Sequence, residues 1–136
     1  MMISKRQKDK LLKRISAHLF KQENIISGYV FGSFVDRDSF SDIDIGVLTR
    51  DVIERPLNAE IDIENQLEKI IEYRIDVRVL NRAPISFSQN VIRSGVVIVD
   101  KDPNLRADFE GIVLKKYFDF SRFRARYLSE VINAPV

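Results

Sequence analysis

Two short stretches of this chain alternate aspartate with branched apolar residues: Asp42-Ile43-Asp44-Ile45 and Ile75-Asp76-Val77. Side chains along a β-strand point to opposite faces in turn, so each stretch predicts a strand with one apolar face and one carboxylate face. Asp42 and Asp44 then project from the same face, ~7 Å apart along the strand. Asp76 lies opposite the apolar row of its own strand. Burying both apolar rows in one core brings the three carboxylates together on the other side. Like charges so placed repel one another and stabilise nothing. A hard divalent cation such as Mg²⁺, which takes oxygen ligands, removes that repulsion. The plainer alternative is three aspartates that simply face water.

The rest of the chain supplies helices around these strands. Residues 4–23 predict a helix with Leu11, Leu12, Ile15 and Leu19 on one face. Ile25 to Phe31 is a strand entering a tight turn at Gly32-Ser33, and Asp42 to Thr49 is the next strand. Arg55-Pro56 opens a helix to about Glu72, with Leu57, Ile61, Leu67 and Ile71 as its expected buried stripe. Arg74 to Leu80 is a third strand, Pro84 to Arg93 a helix, and Val96 to Val99 a short strand. A last helical stretch runs from Asp102-Pro103 toward Ile132, with a restart expected at Ser121. The pattern reads as a single α/β (α+β) domain over residues 1–136, a small mixed sheet flanked by helices.

Composition narrows the classes open to it. With 136 residues, 45% hydrophobic and 31% charged, the chain has material for one core. The absence of Cys excludes disulfides, thiolate metal sites and cysteine nucleophiles. No apolar run approaches membrane-spanning length and no signal-peptide core is present, so a cytoplasmic protein without membrane association is expected. Charge is unevenly spread: residues 1–21 carry seven Lys/Arg against Asp9 alone, whereas residues 36–76 carry twelve acids against five bases. Basic ends around an acidic middle suit a polyanion held beside a cation-binding centre, although solvated helix faces give the same statistics. Direct nucleic-acid binding by the N-terminal helix is not expected, and His18, beside Leu19, reads as a half-buried helix residue.

Gly32-Ser33 adds a second element to the carboxylates. Glycine lets a backbone approach a phosphate, and the serine hydroxyl and following N–H groups can hold an anion. The order of strand, Gly-Ser, Asp-x-Asp strand, helix and Asp-bearing strand is far more specific than any one part. Phe31-Gly32-Ser33 through Ser41-Asp42-Ile43-Asp44-Ile45, with Ile75-Asp76-Val77, resembles the minimal nucleotidyltransferases of the DNA polymerase β-like superfamily. The resemblance covers about residues 5–100, leaving a C-terminal helical segment at about 102–132. It implies the polymerase β-like fold, ATP as nucleotide donor and two Mg²⁺ ions. Gly32 and Ser33 would hold the β- and γ-phosphates, with Arg37 within reach. Asp42, Asp44 and Asp76 would bind the metals and carry catalysis.

Small stand-alone members of this type resemble the antitoxin of pairs whose toxin is an all-helical HEPN-domain RNase. The implied reaction moves AMP from ATP to a tyrosine of that toxin. The loop from Phe34 to Ser41 is shorter than is usual in the family, and Val35-Asp36-Arg37-Asp38 replaces the customary small residue, Arg and Gly. A binding-only member that neutralises its partner by contact therefore stays open as the rival reading. Between Phe109 and Tyr127 lie six aromatics, too many for one packed stripe. Phe120, Phe123 and Tyr127 share a face, with Phe109, Ile112 and Val113 expected elsewhere. The surplus suggests docking of a partner or of a second copy through the C-terminal helix.

Overall fold

The computed structural model describes residues 3–133. The elements in chain order are α1 (Lys5–Phe20), β1 (Ile25–Phe31), α2 (Ser33–Asp36), β2 (Asp42–Thr49), α3 (Pro56–Ile70), β3 (Arg74–Val79), α4 (Ile85–Ser94), β4 (Val96–Asp100) and α5 (Pro103–Asn133). The strands form one mixed sheet in the order β3-β2-β1-β4. β1 is antiparallel to both β2 and β4, while β2 and β3 run parallel, joined through α3. This is the small α+β architecture that the alternation predicts.

The period-2 pattern decides which face is which. Ile43 and Ile45 of β2 are fully buried, and Ile75 and Val77 of β3 are their direct partners. Ile15 and Leu19 of α1 and Ile63 and Leu67 of α3 close over this row to make the main core. Each fully buried Ile or Leu contributes about 1.5–3 kcal/mol relative to exposure. On the opposite face Tyr29, Leu80 and Val91 form a second cluster, against which Phe31, Phe87 and Phe109 pack.

Helix starts follow local chemistry. Ser4 caps α1, its hydroxyl accepting from the Gln7 N–H while the Gln7 amide oxygen accepts from the Ser4 N–H. Pro56 opens α3, where its missing N–H costs nothing. His18 sits half-buried between helices, its Nε2 2.9 Å from Gln66 Oε1, as its place beside Leu19 suggested.

Three expectations need correction. The buried stripe of α3 consists of Ile63 and Leu67, continued by Ile71; Leu57 and Ile61 are exposed. Leu57 and Ile61 lie in the first turns of α3 on a side that no strand covers. The helix instead turns Glu60, Glu64 and Glu68 toward β3. Helix α5 runs unbroken through Ser121, since serine costs a helix only a few tenths of a kcal/mol. In a continuous helix, residues seven apart share a face. Buried Val113 therefore lies on the same side as exposed Phe120 and Tyr127, not elsewhere. Beyond Val113 the apolar stripe runs on uncovered among the described residues: Phe120 is 60% exposed and Phe123 68%.

Candidate active site

The three aspartates meet across the parallel strand pair. Asp44 of β2 and Asp76 of β3 are direct partners in register, so their Cα atoms sit one inter-strand spacing (~4.8 Å) apart. Asp42 precedes Asp44 on the same face and pairs with Arg74. Phe31 of β1 stands on the other side of Asp44, giving a row of Phe31, Asp44 and Asp76 across three strands. Asp42 and Asp44 are half-buried and Asp76 is exposed.

Gly32 ends this row and forces the next turn. Its φ of 78° belongs to the left-handed region that favours glycine, and an added Cβ would strike the Asp44 carboxylate. The chain then enters the single turn of α2, whose Val35 and Asp36 N–H groups donate to the Gly32 carbonyl. The N–H groups of Ser33 and Phe34 have no intrahelical acceptor, as at any helix start. The Gly-Ser turn is thus built against the middle carboxylate of the row.

The electrostatics are those of a crowded acidic site. Burial, then the charges of Asp76 and Asp42, push the Asp44 carboxyl above its ordinary range. Glu64 of α3 joins this group. Burial raises its carboxyl, a hydrogen bond from the Val77 N–H opposes that rise, and Asp76 adds to it. Asp42, Glu64, Glu68, Arg74 and Asp76 line an open polar depression of about 450 Å³.

The donor set is all oxygen and fits a hard cation. Among the described residues the carboxylates do not form a ready three-ligand cage. That agrees with Mg²⁺ chemistry, in which one or two carboxylates act together with phosphate oxygens and water. The cost that Asp44 bears beside two other anions is what a bound cation would relieve.

Two structural residues escaped the sequence reading. Lys8 of α1 sits far from a solvated lysine face. Its Nζ donates to the carbonyls of Phe34 and Arg37, both at 2.6 Å, and lies over the Phe34 and Phe40 rings. It clamps the end of α2 and so holds the Gly-Ser turn. The other is Glu64, one of three glutamates along the β3 edge. Glu60, Glu64 and Glu68 accept the N–H groups of Val79, Val77 and Ile75 at 2.8–3.0 Å. Their four-residue spacing was legible, but acids spaced so on a helix ordinarily mean a solvent face. Arg37 is exposed just after α2, and among the described residues its guanidinium makes no ion pair with the three aspartates.

Residues 13–104 match the family described as Polymerase beta, Nucleotidyltransferase. The chain belongs to this nucleotidyltransferase family. The matched span contains the Gly-Ser turn and all three aspartates. Among solved structures, a chain of the complex between tri-AMPylated Shewanella oneidensis HEPN toxin and MNT antitoxin superposes with a TM-score of 0.72 at 21% identity, covering 92% of this chain and 98% of that one. A chain of the toxin–antitoxin MntA–HepT gives 0.67 at 18% identity, covering 94% and 99%. A chain of the toxin–antitoxin crystallised with AMP-PNP gives 0.67 at 21%, covering 95% and 99%. At such identities the likeness establishes the nucleotidyltransferase fold. No curated protein sequence gives a match. Among the described residues no helix is long and apolar enough to cross a membrane.

Proposed function

We propose that this chain moves AMP from ATP to a tyrosine hydroxyl of a HEPN-type toxin and so acts as its antitoxin. The observation that carries the reading is the in-register pairing of Asp44 with Asp76, beside a Gly32 turn built against Asp44. Family membership supports the transfer chemistry, and the likeness to a chain from a complex of MNT antitoxin with tri-AMPylated HEPN toxin supports the partner.

In this reading Gly32 and Ser33 hold the β- and γ-phosphates through backbone N–H groups and the Ser33 hydroxyl, and Arg37 contacts the outer phosphates. Asp42, Asp44 and Asp76 would hold two Mg²⁺ ions, which when bound neutralise phosphate charge and acidify the attacking hydroxyl. The acceptor oxygen bonds to the α-phosphorus as the bond to the bridging oxygen of pyrophosphate breaks in line. Asp76 takes the hydroxyl proton. Lys8 is a positioning residue, keeping the phosphate turn fixed to α1. The exposed aromatic stripe of α5 is the surface on which the toxin docks.

The test is transfer of label from α-labelled ATP with Mg²⁺ to a HEPN-domain protein. Labelled tyrosine is expected, and Asp76→Asn should abolish it while ATP affinity falls much less. A stable complex that carries no label would favour neutralisation by binding alone. The acidic Val35-Asp36-Arg37-Asp38 segment is the observation on that side. Parallel loss of transfer and ATP binding in Asp76→Asn would make Asp76 a binding ligand only.

A further inference from the structure

Beside the carboxylate row lies a second depression, of about 290 Å³, whose walls include Ile53, Val79, Pro84 and Phe87. Val52 stands exposed at its lip, and Arg78 and Arg82 are exposed at its rim. Arg78 follows Asp76 by two residues on β3, so it shares the Asp76 face one row along, ~7 Å away. The Arg78 guanidinium lies 6.0 Å from the Phe87 ring centre, and Phe87 meets Phe31 edge to face at 5.7 Å. Phe31 is the β1 neighbour of Asp44. The Arg78 wall of the depression therefore stands one row along β3 from Asp76.

Its chemistry is selective. Two polar groups inside carry bonds of the fold: Glu60 accepts the Val79 N–H through Oε2, and the Asn81 amide bonds Thr49 through both its oxygen and its nitrogen. The slot is mainly apolar, with the Glu60 carboxylate on one wall and two cations at its mouth. A purine would need its several ring nitrogens and its amine satisfied there. An apolar side chain has no such needs. The in-line geometry points the same way. A leaving pyrophosphate held at Gly32 and Ser33, at the β1 end, requires the attacking oxygen to enter from the opposite, β3 side.

We infer that this pocket is an acceptor subsite, receiving an apolar side chain next to the modified tyrosine while Arg78 and Arg82 engage an acidic neighbour. The inference rests on the transfer reading above and specifies its substrate. Two fluorescent peptides test it, one with leucine and glutamate flanking a tyrosine, the other with glycine and serine. The wild-type chain should label the first with a kcat/KM about 10-fold or more higher, the range an apolar pocket gives. Val52→Trp, which crowds the slot, and Arg82→Glu, which reverses the rim charge, should each bring the two peptides within about 3-fold. ATP affinity, read by calorimetry, should stay unchanged in both. Equal use of the peptides by the wild type would overturn the inference. So would loss of ATP affinity in Val52→Trp, which would make the slot a nucleobase site. If the wild type labels no peptide and no HEPN protein, the transfer reading fails. The pocket is then judged by anisotropy of the same peptides, with the same preference and the same collapse expected. Arg82→Glu serves alone if Val52→Trp melts early.

Discussion

The sheet face turned away from α1 and α3 holds two regions of opposite character, separated by about one row of side chains. At one end Tyr29, Leu80 and Val91 are closed over by α4 and the first turns of α5. At the other, Asp42 and Asp76 line an open acidic depression, with Asp44 beside them in the strand pair. β2 and β3 supply the acidic end, while β1, the residue after β3 and α4 supply the covered one. Gly46 marks the border: it lies between Asp44 and Leu48 on β2, and Leu80 packs within 3.1 Å of where its Cβ would be. The comparison shows how a small chain separates stability from chemistry. Hydrophobic closure at one end fixes the backbone register, and that register aligns charges at the other end that would not align by themselves.

The largest expected effect comes from breaking the acidic end. Asp42→Asn with Asp44→Asn should lower transfer about a thousandfold or more. Melting temperature without metal should hold or rise. The Asp44 carboxyl is raised in the folded chain, so folding favours its protonated form. Its contribution to stability is present at acid pH and is lost as pH rises through the elevated value. Any gain from Asp44→Asn should therefore be clear at pH 7 and vanish near pH 3.5, as scanning calorimetry would show.

Next in size is the covered end. Leu80→Ala empties a fully buried site and should cost about 3 kcal/mol in urea denaturation. Transfer, assayed well below the lowered midpoint, should persist. A loss of transfer as large as that of the aspartate pair would show that the two ends are not separable.

A smaller effect is expected at the tie between sheet and α5. The Tyr29 hydroxyl donates to Glu110 Oε2 at 2.7 Å, and Arg106 holds the same carboxylate. Tyr29→Phe should cost about 1–2 kcal/mol, because one charged hydrogen bond is lost while Arg106 still pairs Glu110. The smallest effect on folding belongs to the outer half of α5. Phe123→Glu with Tyr127→Glu should change stability by no more than about 0.5 kcal/mol, since both side chains are exposed. Co-purification with the partner should be lost. Global unfolding of this variant would return those side chains to the core.

The carboxylate face was legible because a strand has one period and one answer. Ile43 and Ile45 had to be buried, so Asp42 and Asp44 had to face away from them. The strands and most helices followed from similar local signals. What escaped were features decided by a distant neighbour. Leu57 and Ile61 fit a helical stripe, yet which arc of α3 is buried depends on where β3 lies. Lys8 looks like any solvated lysine until the α2 carbonyls are brought to it. The four residues of α2 carry no periodicity of their own, and that turn follows from the φ of Gly32. Arg37 is exposed just past α2, so no packing pattern in the sequence fixes where its guanidinium lies.

The glutamates along β3 set a length standard. Four residues of α3 advance ~6.0 Å, while two residues of the strand advance ~6.6 Å. Glu68, Glu64 and Glu60 meet Ile75, Val77 and Val79 in reverse order, so helix and strand slide past each other like a vernier that agrees for three marks. The mismatch of ~0.6 Å per mark stays within the reach of a flexible glutamate over that span. Asp76 sits between the first two marks. Deleting one residue between Glu64 and Glu68 would rotate one of these two glutamates relative to the other by ~100° about the helix axis and strip a mark from one side of Asp76. The position of Asp76 is thus measured out by a helix that contributes nothing to the Asp-x-Asp motif itself.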